Sequence, residues 1–489
     1  MTLETPTAPR PTRTPPRSAR STRPRTATIV NLGCKVNQSE MEAAARLFRS
    51  SDVRLVDGGA PVDLTIVNTC TVTAVADEKS RAAVRRARRA SPEGELIVTG
   101  CSVAVDPAQL HAVDPAARLV GNDGKQALLD ELAALVGAGR DDVPTGPLPT
   151  LSGVELEGVA DDRARVERTR AFVKVQDGCS FFCTYCIIPQ ARGPERSLAP
   201  EAVLGDVRRA IAVGHREVVL TGINIGTYDG GWSERGRRGS HTAAALTLAG
   251  LVRRILDETG VERLRLSSIE PQHVDDELLE VWSASDGRCL PHFHLPLQSG
   301  DDGVLRRMGR RYTSREYADV VARVRAAVPG AAIHADVIAG FPTEDEAAFE
   351  RSLAFLRSLD LAGLHVFRYS ARPGTPAVRM VGAVDDATRK ARAAALLDLA
   401  ADARARFARH RVGGRARVLL EERTPDGWVG RSEDYVEVAV AAGPTAPGSR
   451  LTANALVDVR ITTVAPDSPG RVRATALHVD PPPHPGGPG

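Results

Sequence analysis

Residues Arg170–Gly193 read "RAFVKVQDGCSFFCTYCIIPQARG": an apolar run suited to a buried strand, then at once a loop carrying Cys179, Cys183 and Cys186. Of the 7 cysteines in the chain, three stand in this loop with the spacing C-x3-C-x2-C. Thiolates this close together are ligands for a thiophilic metal, either zinc or an iron–sulfur cluster. Structural zinc takes four ligands and usually shows paired C-x2-C halves. This loop supplies three thiols, and no further Cys or His follows at ligand spacing. Three thiolates on a four-iron cluster leave one iron open to another ligand.

Downstream the strand signal recurs as "REVVLTGINI", "RLRLSSIEP", "PHFHLPLQSG", "AAIHADVIAGFP" and "LAGLHVFRYS", with a helical pattern between most of them. Six βα units in one run predict a barrel or partial barrel whose chemistry sits at the C-terminal strand ends. A long Ala/Arg-rich helix, roughly Asp385 to His410, leads out, and from Gly413 the runs become short and alternating. That texture predicts a small all-β barrel of OB-like size.

Upstream, "TATIVNLGC", "DLTIVNTC" and "GELIVTGC" read as strands ending in loops, separated by the helical "QSEMEAAARLFRSS" and "AVADEKSRAAVRRARRA" and closed by "KQALLDELAALVG". Alternating strands and helices predict a parallel sheet covered on both faces. The expected divisions are a disordered basic arm (1–25), an N-terminal α/β domain (26–140), a linker (141–168), a barrel core (169–411), a β domain (412–480) and a disordered tail (481–489). The arm has no apolar core of a secretory signal, and no apolar run approaches the roughly 20 residues of a membrane span. The expected compartment is the cytoplasm, where thiols stay reduced and cysteines point to metal or catalysis. A net charge of +3 is too small to argue for a partner by itself.

Cys34, Cys70 and Cys101 share no local spacing, yet each lies just past the C-terminal end of a predicted strand. In a parallel sheet those ends form one edge, where ligand sites gather. They predict a second three-thiol site, again with one iron unclaimed. Cys289 has no such neighbour and reads as a buried thiol.

The C-x3-C-x2-C loop after the first strand of a βα barrel resembles the radical S-adenosylmethionine (SAM) enzymes, with Tyr185 as the aromatic common before the last cysteine. The resemblance implies that Cys179, Cys183 and Cys186 hold a [4Fe–4S] cluster whose open iron is chelated by SAM, which the reduced cluster cleaves to a 5′-deoxyadenosyl radical. By position it also implies SAM contacts from Thr221, Gly222 and Asn224, from Ser267 and Glu270, and from Gln298 and Asp336. After Gly-Phe-Pro the family often reads Gly-Glu-Thr, whereas Thr343, Glu344 and Asp345 stand here, and Gln190 replaces a common Tyr. The whole arrangement is similar to that of the radical-SAM methylthiotransferases: a flavodoxin-like parallel α/β domain with three dispersed cysteines, a partial (βα) barrel, and a small TRAM/OB-like β-barrel. That family implies a second [4Fe–4S] cluster on Cys34, Cys70 and Cys101.

"LGCKVNQSE", "VNTCTVTAVADEKSR", "RLRLSSIEP" and "HLPLQSG" look most like the threonylcarbamoyladenosine tRNA branch. The implied reaction adds a methylthio group to C2 of N6-threonylcarbamoyladenosine at tRNA position 37. It would need the tRNA anticodon stem-loop, a reducing protein such as a flavodoxin or ferredoxin, and a sulfur source. Lys79, Arg81, Arg85 and Arg88, on the helix that follows Cys70, are candidate phosphate contacts. The arginines of the β domain are balanced by acids, so its assignment to tRNA rests on the TRAM resemblance. Three alternatives stay open: isopentenyladenosine tRNA, a ribosomal protein as substrate, or a zinc-stabilised RNA-binding protein without catalysis.

Overall fold

The computed structural model describes residues 24–49, 51–56, 59–137, 169–230, 246–441 and 451–480. Residues 1–23 of the expected arm, the expected linker and the expected tail lie outside them. The chain begins with β1 (Thr26–Asn31), α1 (Lys35–Arg49), β2 (Arg54–Leu55), β3 (Leu64–Thr69) and α2 (Ala74–Ala90). It continues with β4 (Glu95–Gly100), α3 (Cys101–Val105), α4 (Pro107–Val113), β5 (Arg118–Val120) and α5 (Lys125–Val136). The five strands form one parallel sheet in the order β2-β1-β3-β4-β5, the doubly wound order expected of a flavodoxin-like unit.

Burial explains that order. Every residue of β3, the central strand, is buried, and its apolar run needs cover on both faces. Leu47 and Phe48 of α1 with Leu128 and Leu132 of α5 pack on Ile66 and Ile97, while Val84 and Ala87 of α2 with Leu110 of α4 pack on Val67 and Val98. Helix α2 starts where the Thr73 side chain accepts from the Ala76 amide, which satisfies an otherwise orphaned first-turn donor.

The central region is built from β6 (Arg170–Lys174), β7 (Gln176–Asp177), α6 (Ile188–Arg192), β8 (Arg196–Ser197), α7 (Pro200–Ala212) and β9 (Glu217–Thr221). Then come α8 (Leu248–Glu258), β10 (Arg263–Leu266), α9 (Asp276–Ser283), β11 (His292–His294), α10 (Asp302–Met308) and α11 (Ser314–Ala327). β12 (Ala332–Ala339), α12 (Glu346–Ser358), β13 (Gly363–Arg368) and the long α13 (Asp386–Arg411) complete it. Parallel sheets β10-β9-β6 and β11-β12-β13 meet through the bridges Leu264↔Cys289 and Ser268↔His294. β6 and β13 are not paired with each other, so this is a partial barrel, open on one side.

The chain ends in β14 (Arg415–Thr424), β15 (Gly427–Arg431), β16 (Glu437–Ala441), β17 (Leu456–Ala465) and β18 (Ser468–Asp480), a closed barrel in the order β14-β15-β16-β18-β17. Its core of Val418, Val438, Val457, Ile461 and Val472 is plugged by Ala408 of α13, which ties it to the central region. The fold is therefore mixed α/β with parallel sheets and a C-terminal sheet unit, as expected. No helix among the described residues is long and apolar enough to cross a membrane.

Candidate functional site

The cysteine loop runs from the end of β7 to α6 and is fixed by its backbone. Gly178 has φ +72°, and a Cβ there would lie 1.9 Å from the Pro194 carbonyl oxygen, so only glycine fits this turn. The Cys179 amide donates to the Gly193 carbonyl at 3.0 Å, Thr184 to Met308 at 2.9 Å, and Cys186 back to Cys183 at 2.9 Å. All three thiols face one cavity of ≈ 820 Å³ inside the partial barrel. Burial pushes Cys179 up to about 11 and Cys186 up to about 12, and the neighbouring cysteines add to both shifts. As thiolates these cysteines repel one another, and a bound cation reverses that balance. Tyr185 meets Phe341 edge-on, with ring centroids 6.4 Å apart.

The strand-end candidates surround the same cavity: Thr221, Gly222, Asn224, Ser267, Glu270, Gln298 and Asp336 all line it. The Gln176 side-chain oxygen accepts from the amides of Ile223 (3.0 Å) and Asn224 (2.8 Å), which shapes the loop after β9. Among the described residues, both polar atoms of the Asn224 side chain and the Ser267 hydroxyl are buried without a partner. Because Asn224 and Ser267 also line the cavity, these groups are open to a polar ligand there. Glu270 is paired with Arg310, and Asp336 accepts from His294 at 2.7 Å and His365 at 3.1 Å, so both carboxylates are held by the protein itself. Gln298 has φ +73° and bridges to β12 through its backbone.

The dispersed cysteines stand at one edge of the N-terminal sheet. Cys34 follows β1, Cys70 follows β3 and Cys101 opens α3 after β4, on neighbouring strands at the point where the sheet order reverses. A Cβ on Gly33 would sit 3.2 Å from the Cys70 sulfur. Burial pushes Cys70 up to about 11, with Cys101 and Cys34 among the groups that raise it. Cys34 is exposed and lines the same cavity as the loop cysteines, so the dispersed set opens onto that space through Cys34.

The two sets are held together by buried charge. Glu40 on α1 pairs with Lys125 at 2.5 Å, Lys174 at 3.2 Å and Arg192 at 3.0 Å, and Arg192 also binds Asp177 at 2.9 Å and the Asn37 side chain. These cations hold the Glu40 carboxyl well below its usual value against the opposing effect of burial. Arg372 adds a second tie to Thr71 and Asp77, and Asn122 donates to the Ala191 carbonyl at 2.7 Å.

Several groups escaped sequence reasoning. His292, His294, His334 and His365 enter the cavity from β11, β12 and β13, together with Lys35, Arg404 and Tyr435 from three other parts of the chain. Burial drives His334 down to about 3, so its imidazole is neutral. His294, Asp336 and His365 bring ligand atoms within 4.8 Å of one another, but their hydrogen bonds already account for that closeness. The alternation of polar and apolar residues in "HFH" and "AIHADV" was a signal for these inward side chains, though it does not say which face is inward.

On α2, Lys79 and Arg85 are exposed, and Arg81 bonds Gln109 at 2.6 Å. Arg88 instead turns onto Asp114 at 2.6 Å and the carbonyls of Pro92 and Gly94, so it anchors the α2 C-terminus rather than offering its charge to solvent. Gln190 donates to the Gly374 carbonyl at 2.9 Å, a packing contact between loops. Thr343 adopts φ +81° where the family pattern has glycine, held by its amide bond to the Gly382 carbonyl at 2.8 Å.

Family models match on both halves of this site: the radical SAM superfamily over residues 173–356, and the uncharacterized protein family UPF0004 over residues 26–121. The threonylcarbamoyladenosine tRNA methylthiotransferase MtaB of Bacillus subtilis is 36% identical over 84% of this chain and 90% of its own length. That of Thermotoga maritima is 34% identical over 84% and 90%. The tRNA-2-methylthio-N(6)-dimethylallyladenosine synthase of Sphingopyxis alaskensis is 33% identical over 92% and 98%. Among solved structures, the radical SAM methyltransferase TsrM of Kitasatospora setae, with cobalamin and a [4Fe–4S] cluster bound, has TM-score 0.51 and 16% identity over 72% of this chain and 77% of its own, a likeness of fold. Two sets of three thiols and the orphaned polar groups beside one of them fit the two [4Fe–4S] clusters and the SAM that such enzymes use. The chain belongs to the radical-SAM methylthiotransferase family.

Proposed function

We propose that this enzyme converts N6-threonylcarbamoyladenosine at position 37 of tRNA to its 2-methylthio derivative. The observation that carries the reading is the shared cavity: Cys34 of the dispersed set and Cys179, Cys183 and Cys186 of the loop open onto one space. C2 of adenine bears an inert C–H bond that acid–base or nucleophilic catalysis cannot open. The bound clusters and SAM supply hydrogen abstraction, a methyl group and sulfur, chemistry that protein side chains lack.

The chain's own residues hold, orient and seal. Cys179, Cys183 and Cys186 would hold the cluster that serves SAM, and Cys34, Cys70 and Cys101 the second cluster, which would supply sulfur. Asn224 and Ser267, whose buried polar atoms lack partners, bind SAM from the strand ends, with Thr221, Gly222 and Gln298 shaping that wall. Glu270 orients Arg310, whose guanidinium reaches the Cys183 sulfur at 3.4 Å, and Asp336 fixes the two histidines. The anticodon stem-loop is gripped by Lys79, Arg81 and Arg85 and by the C-terminal barrel. A flavodoxin or ferredoxin would deliver the electrons, and a separate source would supply the sulfur.

The test is anaerobic reconstitution with iron and sulfide, then mass spectrometry of nucleosides from stem-loops carrying threonylcarbamoyl- or isopentenyl-adenosine. Methylthiolation confined to the first supports the reading. Preference for the second overturns it in favour of the substrate named for the Sphingopyxis relative, and a colourless zinc protein overturns the enzyme reading.

A further inference from the structure

The cavity's cations can be accounted for one by one. Six line it: Lys35, Arg170, Arg265, Arg310, Arg404 and Arg431. Arg170 pairs with Glu421 at 2.9 Å, Arg265 with Glu217 at 2.8 Å, Arg310 with Glu270, and Arg431 with Glu437 at 2.9 Å. Among the described residues, Lys35 and Arg404 alone of the six have no carboxylate within ion-pair distance. They differ in setting: Arg404 is exposed on α13, whereas Lys35 is half-buried beside Cys34.

Lys35 is also the first residue of α1, whose first turn contains no acid. A helix N-terminus carries partial positive charge, so a lysine there works against helix stability. Tyr435, Arg170, Arg265 and Asp336 are the groups acting on it across the cavity, and Asp336 is already taken by two histidines. An ammonium enclosed without a counter-ion is costly unless an anion arrives to meet it. The adenine ring is neutral. The threonylcarbamoyl substituent ends in a carboxylate, and the dimethylallyl group of the other named substrate class is a hydrocarbon.

We propose that Lys35 reads the carboxylate of the N6 substituent on the substrate adenosine. This rests on the substrate reading given above. Lys35 is a specificity-determining residue: its ammonium donates to the incoming carboxylate on the Cys34 side of the cavity, which sets the base between the two thiol sets. The same carboxylate chemistry is present in SAM, and the experiment separates the two sources.

Anticodon stem-loops carrying threonylcarbamoyladenosine, as the free acid or as its methyl ester, are compared as substrates for the reconstituted wild type, Lys35→Gln, Lys35→Arg and Arg404→Gln. Iron content and the dissociation constant for SAM are measured on each. The wild type is expected to favour acid over ester by about tenfold or more in kcat/KM, mainly through KM, as for a charge-assisted hydrogen bond in a cavity. Lys35→Gln is expected to handle acid and ester alike, Lys35→Arg to keep most of the preference, and Arg404→Gln to keep it all. The proposal fails if Lys35→Gln retains the preference, if Arg404→Gln is the variant that loses it, or if the wild type thiolates both stem-loops equally. It also fails if Lys35→Gln weakens SAM binding while still distinguishing acid from ester, since the lysine then serves the cofactor. If the wild type thiolates only an isopentenyladenosine stem-loop, the underlying substrate reading falls, a result distinct from each of these.

Discussion

The two sets of three cysteines reach similar surroundings by opposite routes. Cys179, Cys183 and Cys186 are neighbours in the chain, and one loop between β7 and α6 assembles them. Cys34, Cys70 and Cys101 are spread along the chain and share one sheet edge only because β1, β3 and β4 lie side by side in one parallel sheet. The first set depends on a local turn with a glycine that nothing can replace, the second on correct strand order across an entire domain. A local site survives distant disturbance, and an assembled one does not.

The largest expected effect separates the two chemically. Replacing Cys179, Cys183 or Cys186 by Ala should abolish formation of 5′-deoxyadenosine as well as methylthiolation. Replacing Cys34, Cys70 or Cys101 by Ala should preserve 5′-deoxyadenosine while abolishing methylthiolation, with iron falling by about half. A Cys34 variant that still thiolates tRNA would show that the dispersed set does not carry the sulfur.

A smaller effect tests the bolt between them. Glu40→Gln leaves Lys125, Lys174 and Arg192 facing one another without their shared carboxylate. Removing one partner from a buried ion network costs about 3–5 kcal/mol, which should appear as a lower denaturation midpoint. Unchanged stability would mean that water replaces the carboxylate at this junction.

The smallest effect is proton-linked. In the cluster-free protein Cys70, Cys179 and Cys186 are raised from 9.0 to about 11, about 11 and about 12. A raised folded-state value stabilises fully below the unfolded value and is lost as pH climbs through the folded one. The apo protein should therefore melt at lower temperature as pH rises from about 9 toward 11, more steeply than the cluster-loaded protein, whose thiolates are already ligated. Equal slopes for the two forms would remove these thiols as the cause.

The loop triad was legible because its spacing is itself the signal, and the strands because their apolar runs end in glycine or polar turns. The helix over Ala74–Ala90 matched its pattern, yet Arg88, grouped with Lys79, Arg81 and Arg85 as a candidate phosphate contact, is drawn inward by Asp114. Helical spacing fixes a face to within a turn but not what stands opposite. The histidines of β11, β12 and β13 were hidden for a related reason: alternation in a strand fixes two faces, and only barrel closure makes one of them the inside. Tyr435 carried no signal, since it arrives from the C-terminal barrel with φ +70° to stack on His292 at 4.6 Å.

Element order, the local cysteine loop and the family could be read from the residues alone, because periodicity, turn residues and short-range ligand spacing are properties of neighbouring residues. Chain folding alone brings Cys34 into the cavity of the loop cysteines, joins Glu40 to three cations from separate elements, and leaves Lys35 with no carboxylate of its own among the described residues. Those facts depend on which charges meet across domains, and burial sets their energies only once the chain has closed around them.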